Sequence, residues 1–316
     1  MILIKNQIKS NQIKSNQMYP IALFCFKRLD TLIACIESLK LCPEAIHSDL
    51  IIFSDASRND EELQKVDEVR FFLKNIVGFK SIRVIERPEN FGVKNNIIVG
   101  IQEMAQEFES FIVVEDDLVV SSQFLWFMNA GLEHFKEFEK VLTLSAFNYV
   151  KIPKNYVWDS YFAGRTNSWG WATWSHKIKE VDWDLADKEY FLSNPTEMSA
   201  FNAWGSDRSR MLRKVLKGDL DTWDIQLDYY QFKKDLITAY SCKNLVINNG
   251  FNDPLNASNT TGYNRFKVDF EKFDLKDLHF PNFITLNPSI KKRFISKNSI
   301  CNRVITFAYK LLKINN

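Results

Sequence analysis

Residues 111–117 read Phe-Ile-Val-Val-Glu-Asp-Asp, four apolar residues followed directly by three acids. Such an apolar run is typical of a strand that is buried on both faces of a parallel sheet. Three adjacent carboxylates resist joint ionisation, and a bound divalent cation relieves their repulsion. The stretch therefore predicts a buried strand with a site for Mn²⁺ or Mg²⁺, and the phosphates it accompanies, at its carboxyl end.

The chain on both sides of this stretch alternates between apolar runs and helical periods. The alternation predicts an α/β fold with an open, mostly parallel sheet flanked by helices. Predicted strands are 21–26, 50–53, 81–85, 111–114 and 141–145, and predicted helices begin near Asp30, Asn59 or Asp60, Val93 and Ser121. Polar clusters follow these strands, where open parallel sheets bind their ligands.

The two ends and the second half of the chain differ from this pattern. Residues 1–18 contain Asn-Gln-Ile-Lys-Ser twice and predict a disordered extension, with Met18 as an alternative start. Residues 19–150 form the predicted nucleotide-binding half, and residues 151–285, rich in tryptophan, an irregular acceptor-side half of the same domain. Residues 286–316 form a basic amphipathic tail, which either rests on an anionic membrane or packs on the body.

Composition excludes several classes of protein. The 41 basic and 39 acidic residues give a net charge of +2, which gives no reason to expect a nucleic acid partner. The five cysteines have no CxxC spacing, and the sequence contains neither an apolar run of about 20 residues nor a signal peptide. These features predict a cytoplasmic location, at most at the inner face of the membrane. The absence of GxGxxG and GxxxxGK[ST] disfavours dinucleotide and P-loop sites.

Six segments together resemble GT-A glycosyltransferases, in particular the N-acetylglucosaminyltransferase I type and its bacterial, family 2-like relatives. In chain order they are Ile-Ala-Leu-Phe-Cys-Phe-Lys-Arg (21–28), Phe-Ser-Asp-Ala-Ser-Arg (53–58), Arg-Pro-Glu-Asn-Phe-Gly-Val-Lys-Asn (87–95), the acidic stretch (111–117), Ser-Trp-Gly-Trp (168–171) and Trp-Asp (223–224). The resemblance implies the GT-A fold and a metal-dependent, inverting transfer from a nucleotide sugar, expected to be a UDP-sugar.

The resemblance also implies roles for individual residues. Asp117 is the expected metal ligand, with donor diphosphate and waters completing the shell, and Asp116 is expected to bind the ribose. Asp224 is the expected catalytic base, because burial and the nearby Asp219, Asp221 and Asp228 would raise its pKa. The remaining donor-binding candidates are Phe26, Arg28, Asp55, Ser57, Arg58, Arg87, Asn90, Gly92 and Lys94.

On the acceptor side the candidates are Arg165, Trp169, Gly170 and Trp171. Tryptophan rings offer a platform for the C–H faces of a sugar, and Gly170 would let the backbone approach. The alternative is that these aromatic residues, with Trp174, belong to the core. Since Trp171 and Trp174 are three residues apart, at least one of them is expected there.

One departure concerns the metal. Many GT-A enzymes add a metal-ligating histidine near the end of the catalytic domain, and residues 249–261 contain none. Asp253 is a possible replacement in this segment.

The implied acceptor is a bacterial surface glycan, free or lipid-linked. Three alternatives stay open: a nucleotidyltransferase acting on sugar phosphates, a retaining transferase on the same fold, and a non-catalytic protein that binds a nucleotide or sugar.

Overall fold

A computed structural model describes residues 8–9, 18–250, 265–274 and 277–311. The strands are β1 (Ile8–Lys9), β2 (Ile21–Cys25), β3 (Asp49–Ser54), β4 (Ser81–Glu86), β5 (Ser110–Glu115), β6 (Leu118–Val120), β7 (Val141–Ser145), β8 (Ser160–Ala163), β9 (Trp171–Trp174), β10 (Ile237–Ser241), β11 (Val246–Asn248) and β12 (Asp277–Leu278). The helices are α1 (Leu29–Lys40), α2 (Asp60–Leu73), α3 (Gly92–Glu107), α4 (Phe124–His134), α5 (Ser175–Ile178), α6 (Lys188–Ser193), α7 (Pro195–Phe201), α8 (Arg208–Leu216), α9 (Asp224–Lys233), α10 (Pro288–Lys297) and α11 (Ile300–Leu311).

The central sheet confirms the predicted α/β fold. Its strand order is β4-β3-β2-β5-β9-β7-β10-β8, with parallel pairing among β4, β3, β2 and β5 and between β7 and β10. The five predicted strands correspond to β2, β3, β4, β5 and β7, within two residues at each end. The acidic stretch thus follows a central strand of the sheet.

Helices cover both faces of the sheet, which explains why its strands are continuously apolar. Leu23 packs in a core with α1, α2 and α4, whereas its neighbour Phe24 packs in a second core with α3 and α9. Successive side chains of a strand point to opposite faces, so both must be apolar when both faces are covered.

The starts of α1, α9 and α2 are capped in different ways. The first helix begins at Leu29, with Arg28 in the capping position and Asp30 inside the first turn. For α9 the capping position is held by Trp223, and Thr222 instead bonds to the side chain of Asp224. Asn59 does cap α2, because its side chain accepts a hydrogen bond from the backbone N–H of Glu62.

The second half of the chain completes the same sheet. Strand β9 inserts between β5 and β7 and pairs antiparallel with both, while β8 forms an antiparallel edge next to β10. Sequence reasoning missed these strands, since Trp171–Trp174 is too aromatic and too short to read as a strand. The two halves therefore share one sheet.

Smaller elements position the loops. Strands β6 and β11 pair antiparallel, which brings Asn248 against Leu118. Strand β1 pairs with β12, so two residues of the predicted N-terminal extension are extended; the rest of residues 1–17 lies outside the described residues. None of the helices within the described ranges is long and apolar enough to cross a membrane.

Candidate active site

A cavity of about 850 Å³ opens at the carboxyl ends of β2, β3 and β5. This is the edge at which ligands bind in open α/β sheets. Both halves of the chain contribute to its wall. The predicted site residues that line it are Phe26, Arg28, Asp55, Arg58, Asn90, Gly92, Asp116, Asp117, Arg165, Trp169 and Asp224.

The acids at the end of β5 form its charged centre. The Arg28 guanidinium donates to both Asp116 and Asp117, with Nη1 at 3.1 Å from Oδ2 of Asp117. Burial raises the pKa of Asp116 to about 6, and Asp117 opposes its ionisation further while Arg28 favours it. Burial and the neighbouring acids raise the pKa of Glu115 well above its usual range. One guanidinium therefore does not neutralise this group, and further positive charge is favoured here.

The surroundings of Asp117 fit a metal held through a single carboxylate. A Cβ atom on Gly250 would lie 2.3 Å from Oδ2 of Asp117, so glycine at this position lets the carboxylate keep its place. The backbone N–H of Asn249 holds the Asp117 carbonyl at 2.8 Å. Nowhere in the described ranges do three or more His, Cys, Asp or Glu side chains form a metal-binding group. Diphosphate and water oxygens would have to complete the shell; Asp253 lies outside the described residues.

Asp55 organises the part of the cavity that lies between the end of β3 and the start of α3. At the end of β3, its carboxylate accepts hydrogen bonds from the backbone N–H groups of Phe91 (2.8 Å) and Gly92 (3.0 Å) and from the amide of Asn90 (3.1 Å). Burial raises the pKa of Asp55, and these donors partly offset the effect. Asp55 therefore fixes the loop that precedes α3 against the end of β3.

Phe26 and the two cations beside it, Arg58 and Lys27, form the rim of the cavity on the same side. The Arg58 guanidinium lies 5.6 Å from the Phe26 ring centre, and the Lys27 ammonium lies 5.5 Å from it. Arg58 is also held by Glu62, with Nε at 3.0 Å from Oε2. An aromatic ring beside mobile cations can stack on a planar base while the cations contact phosphate.

Three of the donor-binding candidates do not line the cavity. Arg87 is buried away from the cavity, where Nε donates to Asn96 (3.0 Å) and Nη1 pairs with Glu103 (2.7 Å). Ser57 and Lys94 are not among the described residues that line the cavity. Helix α3 presents Gly92, Val93, Asn96 and Ile97 to the cavity, and Lys94 falls on a different side of the helix.

Asp224 stands at the centre of the cavity wall, in the first turn of α9. Its Oδ1 accepts hydrogen bonds from the Thr222 hydroxyl (2.5 Å) and from the backbone N–H of Ile225 (2.9 Å). Burial raises its pKa, Thr222 and Arg165 act in the opposite direction, and Asp228 adds to the increase. Asp219 and Asp221, which sequence reasoning invoked, do not contribute to this shift as Asp228 does.

Trp223, which directly precedes Asp224 in the chain, holds the start of α9 in place. Its ring stacks on Trp171 with centroids 5.2 Å apart, and both rings are buried. Asp224 is also close enough to Glu115 to raise its pKa. The candidate base thus lies next to the acids of β5 and is held by a rigid aromatic pair.

The predicted tryptophan platform is mostly core. Trp171 and Trp174 lie in β9 and are completely buried. Gly170 has φ +63°, and a Cβ atom there would lie 2.8 Å from Val246 and 2.9 Å from Phe124, so its role is in packing. Trp169 alone among these residues reaches the cavity, where it packs edge-on against Phe147 at 4.6 Å.

Sequence reasoning missed several basic residues of the cavity wall. Arg165 was a candidate, and it pairs with Asp207 through two hydrogen bonds of 2.8 and 3.1 Å. The missed cations that also line the cavity are Arg210, Lys214, Arg265 and Arg303. The sequence offers one partial signal: Arg303 lies off the apolar face of the C-terminal amphipathic helix.

Comparison with known proteins gives one match to a family. The family described as "Glycosyl transferase family 2" matches residues 21–179, which is 159 of the 316 residues. No curated protein matches the chain.

Solved structures give weaker likenesses. They include S. aureus TarS (14% identity, TM-score 0.36, 53% of this chain and 30% of that one), GalNAc-T7 with UDP, GalNAc and Mn²⁺ (10%, 0.44, 72% and 43%) and the mannosyltransferase PcManGT from Pyrobaculum calidifontis with GDP-Man and Mn²⁺ (11%, 0.33, 49% and 44%). The chain spans less than half of each of these solved chains. Likenesses this weak transfer neither substrate nor metal.

Proposed function

The chain belongs to glycosyl transferase family 2, and from this premise we propose that it moves a sugar from a UDP-sugar to a hydroxyl group of a bacterial surface glycan, with inversion and with Mn²⁺ or Mg²⁺. The observation that carries the proposal is that Asp117, whose carboxylate packs closely against Gly250, and the half-buried Asp224 line one cavity. The first binds phosphate through a cation, and the second accepts a proton.

In the proposed reaction an acceptor hydroxyl oxygen attacks the anomeric carbon of the donor sugar. Its proton passes to Asp224, a new C–O bond forms, and the bond to the diphosphate breaks, so that the nucleoside diphosphate leaves with the electron pair. A raised pKa makes Asp224 a better proton acceptor than an ordinary aspartate. Attack opposite the leaving group inverts the anomeric configuration, which analysis of the product anomer tests.

The donor site follows from the same geometry. The Phe26 ring and the loop fixed by Asp55 form the proposed base pocket, and Asp116 is the proposed partner of the ribose. Asp117 would hold the cation, which when bound supplies positive charge to the departing diphosphate. Arg28 lies on the same two acids and adds a permanent charge there.

Thermal unfolding with UDP, GDP and CMP, each with and without Mn²⁺, tests the donor site. A ligand that binds only the folded state adds RT ln(1 + [L]/Kd), which is about 2.7 kcal/mol at a hundredfold excess. We expect a Mn²⁺-dependent shift with UDP that Asp117→Asn abolishes. The matched control is Asp184→Asn, an exposed acid outside the cavity. No shift with any nucleotide, or a shift that survives in Asp117→Asn, contradicts the proposed site.

The C-terminal helix supports a second part of the proposal, contact with an anionic membrane that carries the acceptor. Ile300, Val304 and Phe307 are each 60% exposed on α11, and α10 beside it is basic. Exposed apolar side chains next to cations match an anionic lipid surface. We expect the protein to cosediment with phosphatidylglycerol vesicles but not with phosphatidylcholine vesicles. Phe307→Glu should remove this binding. Equal binding to both kinds of vesicle would contradict an electrostatic contact.

A further inference from the structure

Two arginines lie against one carboxylate in the cavity wall, and a third acts on one of them. Asp207 pairs with Arg165 at 2.8 Å and lies 3.8 Å from Arg265. Arg303 is close enough to act on Arg265: burial lowers the pKa of Arg265, and the like charges of Arg165 and Arg303 lower it further. Like charges held this close favour an anion between them.

Arg303 has unused hydrogen-bonding capacity. Its Nη1 atom is buried and has no hydrogen-bond partner within the part of the chain that the structure describes. A buried donor without a partner is costly, and it is especially so when the group is charged. Arg303 lines the cavity, so a ligand inside can satisfy this atom.

The helix that carries Arg303 is tied down at its start. Asn298, at the junction of α10 and α11, donates from its amide to the Tyr149 hydroxyl (2.8 Å), and its carbonyl accepts from the backbone N–H of Ser206 (3.2 Å). Both contacts lie beside the arginine cluster, since Arg165, Asp207 and Arg265 all act on Tyr149. The position of Arg303 is therefore built into the fold.

The cluster lies on the acceptor side of the candidate base. Asp224 interacts electrostatically with Glu115 on one side and with Arg165 on the other. Arg165 in turn contacts Asp207, which leads to Arg265 and then Arg303. Asp224 and the arginines therefore line one cavity, and Arg165 is the arginine whose charge acts on Asp224. Arg210 and Lys214, one turn apart on α8, line the same cavity.

We infer that the acceptor carries a phosphate ester, which Arg265 and Arg303 bind while its hydroxyl group faces Asp224. The inference rests on the proposed function for the identity of the acceptor side. Arginine is suited to it because its planar fork matches phosphate oxygens. A phosphate monoester carries roughly −1.5 to −2 at neutral pH, and its oxygens can accept from the unpartnered Nη1 of Arg303. Phe266 and Trp169, which pack edge-on at 6.0 Å, line the adjoining wall and offer apolar surface to a sugar or polyol.

Titration calorimetry of the full chain with glycerol phosphate, in the presence of saturating UDP and Mn²⁺, tests the inference. We expect saturable binding that Arg303→Gln weakens by roughly ten- to a hundredfold, the range for losing a charged hydrogen bond. Arg303→Lys should recover part of the affinity. Lys292→Gln is the matched control, because it removes one positive charge from the neighbouring α10 at an exposed position outside the cavity, and it should leave the affinity unchanged.

A parallel titration with a glycerol phosphodiester separates the two sources of phosphate, an end group or a link within a polymer, and the tighter ligand names the source. Three results would overturn the inference: no binding of either ester to a protein that binds UDP, equal binding by Arg303→Gln, or competition between the ester and UDP, which would assign the arginines to the donor. Failure of the proposed function looks different, since UDP would then not bind although the ester still did.

Discussion

Replacing Asp224 with asparagine tests the proposed chemistry most directly. Asparagine has the same shape, and its Oδ1 can still accept the hydrogen bonds from Thr222 and Ile225. Trp223 remains stacked on Trp171, so α9 should keep its position. The variant also removes a buried carboxyl whose pKa is raised by burial, so stability at neutral pH should be equal or higher.

The expected loss is therefore confined to catalysis. A positioned base contributes about 10²–10⁴-fold, or about 2.7–5.5 kcal/mol of transition-state stabilisation. Turnover of a UDP-sugar in Asp224→Asn should fall by that factor, while the thermal shift with UDP and Mn²⁺ stays as in the native protein. Asp219→Asn, an exposed acid at the same end of α9 but outside the cavity, is the matched control.

Two results would refute the reasoning. Turnover within about tenfold of the native protein would show that Asp224 is not the base, because it lies below the range for general base catalysis. Loss of UDP binding in parallel with turnover would place Asp224 in the donor site instead.

Three further perturbations follow from the same contacts. Thr222→Val removes a hydrogen bond that lowers the pKa of Asp224, so the pKa of Asp224 should rise. Because the carboxylate is the active form, activity is lost as the pH falls through that pKa, and the acid limb of the kcat/KM profile should move to higher pH. An unmoved acid limb would contradict the assignment of Asp224 as the base. Gly250→Ala places a methyl group 2.3 Å from Asp117 Oδ2. The Mn²⁺-dependent part of the UDP thermal shift should therefore shrink, while the melting temperature without ligand changes little. An intact Mn²⁺ effect would show that metal binding does not use the space beside this oxygen. Trp223→Ala should cost about 3–5 kcal/mol in urea unfolding, because a buried ring leaves a cavity, and a cost below about 1 kcal/mol would show that the stack does not anchor α9.

Sequence patterns predicted the parts of the fold that depend on local burial. Strands β2, β3 and β5 contain continuous apolar runs because both of their faces are covered, and that requirement is visible without the structure. The Glu115–Asp117 acids and Asp55 were found for a related reason, since they directly follow such strands.

The residues whose positions the sequence patterns did not reveal depend on contacts between distant segments. Arg87 reads as a donor ligand, but Glu103, one helix away, pairs with it outside the cavity. Trp171 reads as a sugar platform until β9 is seen inside the sheet. Arg265 and Arg303 reach the cavity because of the path of the chain after β11, which no local period encodes.

The insertion of β9 between β5 and β7 has a consequence for how the chain is made. On the ribosome, β5 and β7 emerge before the strand that joins them, and β9 follows β5 by roughly 60 residues, or about 3–12 s at about 5–20 residues per second. Until Trp171–Trp174 arrives, both strands expose an unpaired edge on which another chain can pair. A nascent chain arrested before residue 170 should therefore bind chaperones and aggregate, whereas release after β10 should let the whole sheet close in one cooperative step.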